Sequence, residues 1–160
     1  MSKDHLATYL NDHLAGSVTA IEILDRLAEE ASELSPFLAR LKKDIESDRQ
    51  HLVDLMARLH IPQSRIRKAS GWLAEQITEA KLEVDDQSGG LLRRLERLEA
   101  VVLGIDGKLA LWHSLEAASS VDALLQGPDY VHLVQRAREQ RAGVEALRIE
   151  AARAALRLAT

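Results

Sequence analysis

Leu91-Leu92-Arg93-Arg94-Leu95-Glu96-Arg97-Leu98-Glu99-Ala100-Val101-Val102-Leu103-Gly104-Ile105-Asp106-Gly107-Lys108-Leu109-Ala110-Leu111-Trp112 is the stretch on which the fold turns. Its residues Leu91, Leu95, Leu98, Val102, Ile105, Leu109 and Trp112 recur at alternating steps of four and three. That spacing lays one unbroken apolar stripe along an α-helix and suits packing beside near-parallel neighbours. Read as a strand, the same residues would scatter over both faces of a sheet.

Working outward, the same rhythm returns. Leu133, Ala137, Val144, Leu147, Ala151, Ala154 and Leu158 form a stripe interrupted by Gln140, and Leu38, Leu41, Ile45, Leu52, Leu55 and Leu59 form one interrupted by Asp48. Near the start, Leu10, Leu14, Ile21, Leu24, Ala28 and Ala31 make a looser stripe with Ser17 as its polar step and His13 beside it. Prolines and glycines punctuate the chain into five helical stretches, at about 3–34, 36–60, 64–84, 91–118 and 129–158, because both residues are costly inside helices and useful at their ends. Ser35 and Pro36 read as the N-cap and first-turn proline of the second helix. Asp85-Asp86-Gln87-Ser88-Gly89-Gly90 reads as a loop.

Composition agrees with an all-α protein. Of 160 residues, 46% are hydrophobic and 29% charged, but only 3% are aromatic, a leucine- and alanine-rich profile that disfavours sheets. The length suits one domain, 1–160. No cysteine is present, which excludes disulfides, thiolate metal sites and cysteine nucleophiles. Without a secretion signal or a long apolar run, the expectation is a soluble cytoplasmic protein that does not enter a membrane. The net charge of -4 offers no electrostatic case for nucleic acid. Arg65, Arg67 and Lys68 are a small basic cluster, and the arginines of the last helix alternate with Glu139, Glu145 and Glu150, so both read as solvated faces.

The polar steps carry the chemistry. A carboxylate at a core position needs a cation, a metal or several donors, since burying it alone costs several kcal/mol, on the order of those for an unpaired ion. His51 follows Asp48 by three residues and shares its side of the helix. The tight connection at Ser35 brings Ser17 and His13 level with Asp48. Folding the last two helices about Asp122 brings Glu99 level with Arg148, one turn from Glu145, and Gln140 level with Gly107 and Lys108.

Asp48-x-x-His51, Glu99 and Glu145-x-x-Arg148 in this helical order resemble the ferritin-like di-iron carboxylate superfamily. There, one carboxylate on each of two helices and a Glu-x-x-His pair on each of the other two point into a four-helix bundle with a long crossover. The opening Tyr9-Leu10-Asn11-Asp12-His13-Leu14-Ala15-Gly16-Ser17 is similar to that of uncharacterised bacterial ferritin-like proteins, and the likeness spans nearly the whole chain. It implies a ferritin-like four-helix bundle with the helix over about 64–84 as crossover, which would make the second and fourth helices parallel. A plain up-and-down array, in which the helix over about 64–84 is a full member, is the alternative.

The departures set the functional expectation. Ser17 stands where the first helix should carry a carboxylate, and Arg148 stands where a ligand is required. Arginine only donates and stays charged, so it cannot ligate iron. The reading is a buried polar cluster of His13, Ser17, Asp48, His51, Glu99, Gln140, Glu145 and Arg148, an internal ion-pair network without a cofactor, in a non-catalytic module that binds protein, including itself as a homodimer. The alternative is an iron- or manganese-dependent oxidase or oxygen-handling enzyme using His13, Asp48, His51 and Glu99. A third reading is a cavity for a small apolar ligand between Gly104, Gly107 and Gly143. Asp129-x-x-His132 follows Pro128 at a helix start and reads as a cap.

Overall fold

The computed structural model describes residues 3–64 and 90–158. Four helices occupy them: α1 (Lys3–Glu30), α2 (Ser35–Arg58), α3 (Leu91–Ser119) and α4 (Tyr130–Ala155), with 3-10 turns at Ser32–Leu34 and Ala123–Leu125. No strand occurs among the described residues, and no described helix is long and apolar enough to cross a membrane. The expected helix over about 64–84 and the basic cluster at Arg65 lie outside the described residues.

The helix ends follow local chemistry. α1 stops earlier than its stripe suggests, because Ala31 leaves helical geometry (φ -129°, ψ 72°) to start the turn into α2. Ser35 is not the cap expected of it. It is already helical, and its hydroxyl donates back to the Ala28 carbonyl at 3.4 Å. At the other end of α2, His60 takes a left-handed conformation (φ 53°), its N–H bonds the Ala57 carbonyl, and the Ile61 N–H bonds Met56. This paired closure is the Schellman arrangement, and it is completed by burial of Ile61 in the core. Asp129 caps α4 by accepting from the His132 N–H at 3.0 Å, as its position after Pro128 predicts. Gly127 adopts φ 122° with the Arg58 guanidinium against it, so a side chain there would meet both backbone strain and a clash.

Cross-helix contacts fix the topology. Asp25 of α1 pairs with Lys42 of α2 at 2.6 Å, and Asp106 of α3 pairs with Arg141 of α4 at 2.7 Å. Glu30 of α1 meets Arg93 and Arg97 of α3, while Ala20 of α1 lies against Gly104. Phe37 of α2 covers Gly143 of α4, and Arg58 reaches the Leu124 carbonyl. Every neighbouring pair is therefore antiparallel, and the diagonal helices α2 and α3 run parallel. Ser64 is tied to Asn11 near the start of α1, whereas Arg94 bonds Glu33 near its end. The ends joined by the connection between α2 and α3 thus lie at opposite ends of the bundle, as both a crossover helix and a full helical member of an up-and-down array require.

Two apolar clusters fill the interior. One gathers Leu24, Leu27, Leu38, Leu98, Ile105 and Val144 with their neighbours, and the other gathers Leu10, Leu55, Met56, Trp112, Leu115 and Leu133. In α1 the apolar core residues are Leu10, Leu14, Ile23, Leu24 and Leu27, while Ile21 and Ala28 of the expected stripe are only partly buried. Leu158 and Ala154 at the end of the α4 stripe are exposed. Between the two clusters the packing gives way to polar side chains.

Candidate functional site

Asp48 occupies a core step of α2 and is 1% exposed. Its Oδ1 accepts from Arg136 of α4, and its Oδ2 accepts from Lys108 Nζ of α3 at 2.5 Å and from Gln140 Nε2 of α4 at 3.3 Å. Lys108 also donates to the Gln140 amide oxygen. Helical geometry explains the convergence on the α4 side, since Arg136 and Gln140 are four apart and share a face. Lys108 starts beside the apolar stripe of α3 and reaches inward along its aliphatic stem.

The charge in this layer is unbalanced. One carboxylate faces two cations, and both cations are largely withdrawn from water, with side-chain exposures of 15% for Lys108 and 19% for Arg136. Burial pushes the Lys108 ammonium below its ordinary pKa, and the Arg136 charge pushes the same way, while Asp48 and Asp44 pull it back up. Asp48 is the only buried carboxylate among the described residues. Three of roughly four acceptor positions on its oxygens are already occupied.

A cavity of about 370 Å³ adjoins the layer between α1, α2 and α3. Its walls include Gly16, Ser17, Ala20 and Ile23 of α1, Ile45 and Leu52 of α2, and Gly104, Gly107, Leu111 and Trp112 of α3. Lys108, Asp48, Arg49, Asp12 and His13 supply its polar lining. A Cβ added at Gly16 or Gly107 would meet nothing within 4 Å, so both glycines face open space. Gly143, expected to help form such a space, does not reach it: Phe37 lies 3.0 Å from where its Cβ would stand.

Several of the expected cluster residues stand elsewhere. Asp48 and Gln140 are in contact, and Ser17 and His13 line the adjoining cavity. His13 stacks edge-on against Tyr9, and burial lowers its pKa below the ordinary 6.5 against an opposing pull from Asp12. His51 is exposed, because three residues along α2 carry it about 60° from Asp48 around the helix and away from the core. Glu99, Glu145 and Arg148 do meet, but at the surface. Arg148 holds Glu145 through two bonds of 2.8 Å and Glu99 at 3.4 Å. Hydrogen bonding to Glu145 raises the already high Arg148 pKa, and Arg148 lowers that of Glu145. Along α3, Glu99 lies eight residues from Gly107, about 12 Å, so this set sits two turns from the Asp48 layer.

No group of three or more histidine, aspartate or glutamate side chains placed to hold a metal occurs among the described residues. The candidate set of His13, Asp48, His51 and Glu99 does not converge. The partners of Asp48 that sequence reasoning missed are Lys108 and Arg136. The four-residue spacing of Arg136 and Gln140 was a usable signal for the second; nothing comparable marks the first. Comparison with protein-family models, curated proteins and solved structures gives no match.

Proposed function

We propose that this protein is a non-catalytic, ferritin-like bundle that works by binding protein, including a second copy of itself, with an ion-pair network standing where the superfamily holds metal. The observation that carries this reading is the Asp48 carboxylate, the only buried one among the described residues, which already accepts from Lys108, Arg136 and Gln140. A carboxylate neutralised by two fixed cations is a poor ligand for a third cation and a poor base. The parallel run of α2 and α3 fits the kinship, as it also fits an up-and-down array of five helices.

Protein contacts are supported by the connection between α3 and α4. Val121 and Leu124 in this connection and Val131 in the first turn of α4 are 88%, 69% and 70% exposed, and contiguous apolar exposure marks association surfaces. The test pairs elemental analysis with light scattering after size exclusion. Purified protein should carry substoichiometric iron, manganese and zinc, and a dimer should dissociate in Val121→Glu/Leu124→Glu. A stoichiometric metal lost in Asp48→Ala would sink the reading of the layer, and a monomer at every concentration would sink self-association.

A further inference from the structure

The cavity and the layer beside it differ in what they lack. The cavity walls are mostly apolar, with Ala20, Ile23, Ile45, Leu52 and Leu111 among them, while Lys108 of the layer also lines the cavity. An ammonium has three donors. Lys108 commits one to Asp48 and one to Gln140, which leaves a third. Lys108 and Arg136 share the single buried carboxylate of Asp48, and the partly exposed Asp44 is a further acid acting on Lys108. Arg49 and Trp112, two further lining residues, each carry a buried N–H without an acceptor among the described residues. Apolar walls and unspent donors on Lys108, Arg49 and Trp112 call for a ligand with an apolar body and one anionic acceptor group.

We infer that this cavity binds a small amphipathic monocarboxylate, its hydrocarbon part lying between α1 and α3 beside Gly16, Ala20 and Gly107 and its carboxylate accepting from Lys108. Size agrees. At about 30 Å³ for a group the size of a water molecule, 370 Å³ takes on the order of twelve such groups, and small-molecule sites begin at about 300 Å³. The apolar walls would leave most oxygens of a doubly charged anion without donors. Asp12, also in the lining, is exposed, so water screens its charge. The inference goes beyond the reading of the protein as an interaction module and requires neither the protein contacts nor the kinship.

Titration calorimetry of the full chain with octanoate, octanol and octylammonium tests it. Octanoate should bind at one per chain, at least tenfold tighter than octanol, and octylammonium should bind weakest. Gly107→Leu fills the cavity where a Cβ meets no neighbour and replaces a poor helix former with a good one, so it should stay folded and lose octanoate binding by tenfold or more. Lys108→Met should bring octanoate down to the octanol level while leaving octanol binding unchanged. Equal affinity for octanoate and octanol in the unaltered protein would overturn the carboxylate assignment. Unaltered octanoate binding in Gly107→Leu, or no saturable binding of any of the three, would overturn the site.

Discussion

Two charged clusters in this bundle are near mirror images in composition and opposites in setting. Around Asp48, one acid meets two bases in the core. Around Arg148, one base meets two acids, Glu99 and Glu145, whose side chains are 47% and 32% exposed. In the first, the central Asp48 is withdrawn from water and its charge depends on its protein partners; in the second, water screens whatever the partners do not neutralise. Equal pairing on paper therefore means unequal dependence. Removing one member should matter greatly in the core and little at the surface.

The largest expected effect is that of Asp48→Ala. It strands Lys108 and Arg136 without their counter-charge, and should destabilise the fold by about 3–5 kcal/mol, read from urea unfolding followed by circular dichroism. Replacing the whole set, as Asp48→Leu/Lys108→Met/Arg136→Met, should recover most of that loss, because well-packed apolar residues often replace a buried ion network without penalty. If the triple replacement is as unstable as Asp48→Ala alone, the layer contributes specific stability that charge pairing does not explain. Arg148→Ala should move the urea midpoint by only a small fraction of the Asp48→Ala effect; a comparable loss would erase the contrast between the clusters.

A smaller effect distinguishes the cavity side of the layer. Because burial lowers the His13 pKa below 6.5, the unfolded chain binds more protons than the folded one as pH falls through 6.5. Stability should thus be flat above that value and decline between pH 6.5 and the lowered pKa. His13→Asn should remove that part of the slope in urea midpoints measured from pH 7.5 to 5.5. An identical slope in the variant would show that His13 does not sense the burial assigned to it.

Much of this architecture is legible in the residues. The polar steps Asp48 and Gln140 stand out because they break stripes that are otherwise apolar, and both are buried. Short connections set neighbours within each hairpin: Ser17 and Asp48 line one cavity, Lys108 bonds Gln140, and Glu99 bonds Arg148. His51 misleads because a three-residue step is compatible with a shared face, yet here the interior ends at Asp48 and His51 lies beyond its edge.

What sequence alone determined is the helices, their apolar faces and the register inside each hairpin, since these follow from side-chain periodicity and from connections too short to allow slippage. The offset between the hairpins was decided only in three dimensions. Stripes that repeat every seven residues interdigitate almost as well after a slip of two turns, so periodicity does not fix which stretch of α3 lies level with Asp48. The choice falls to the summed packing of both cores, and it gives Asp48 a lysine and an arginine in place of a ligand set.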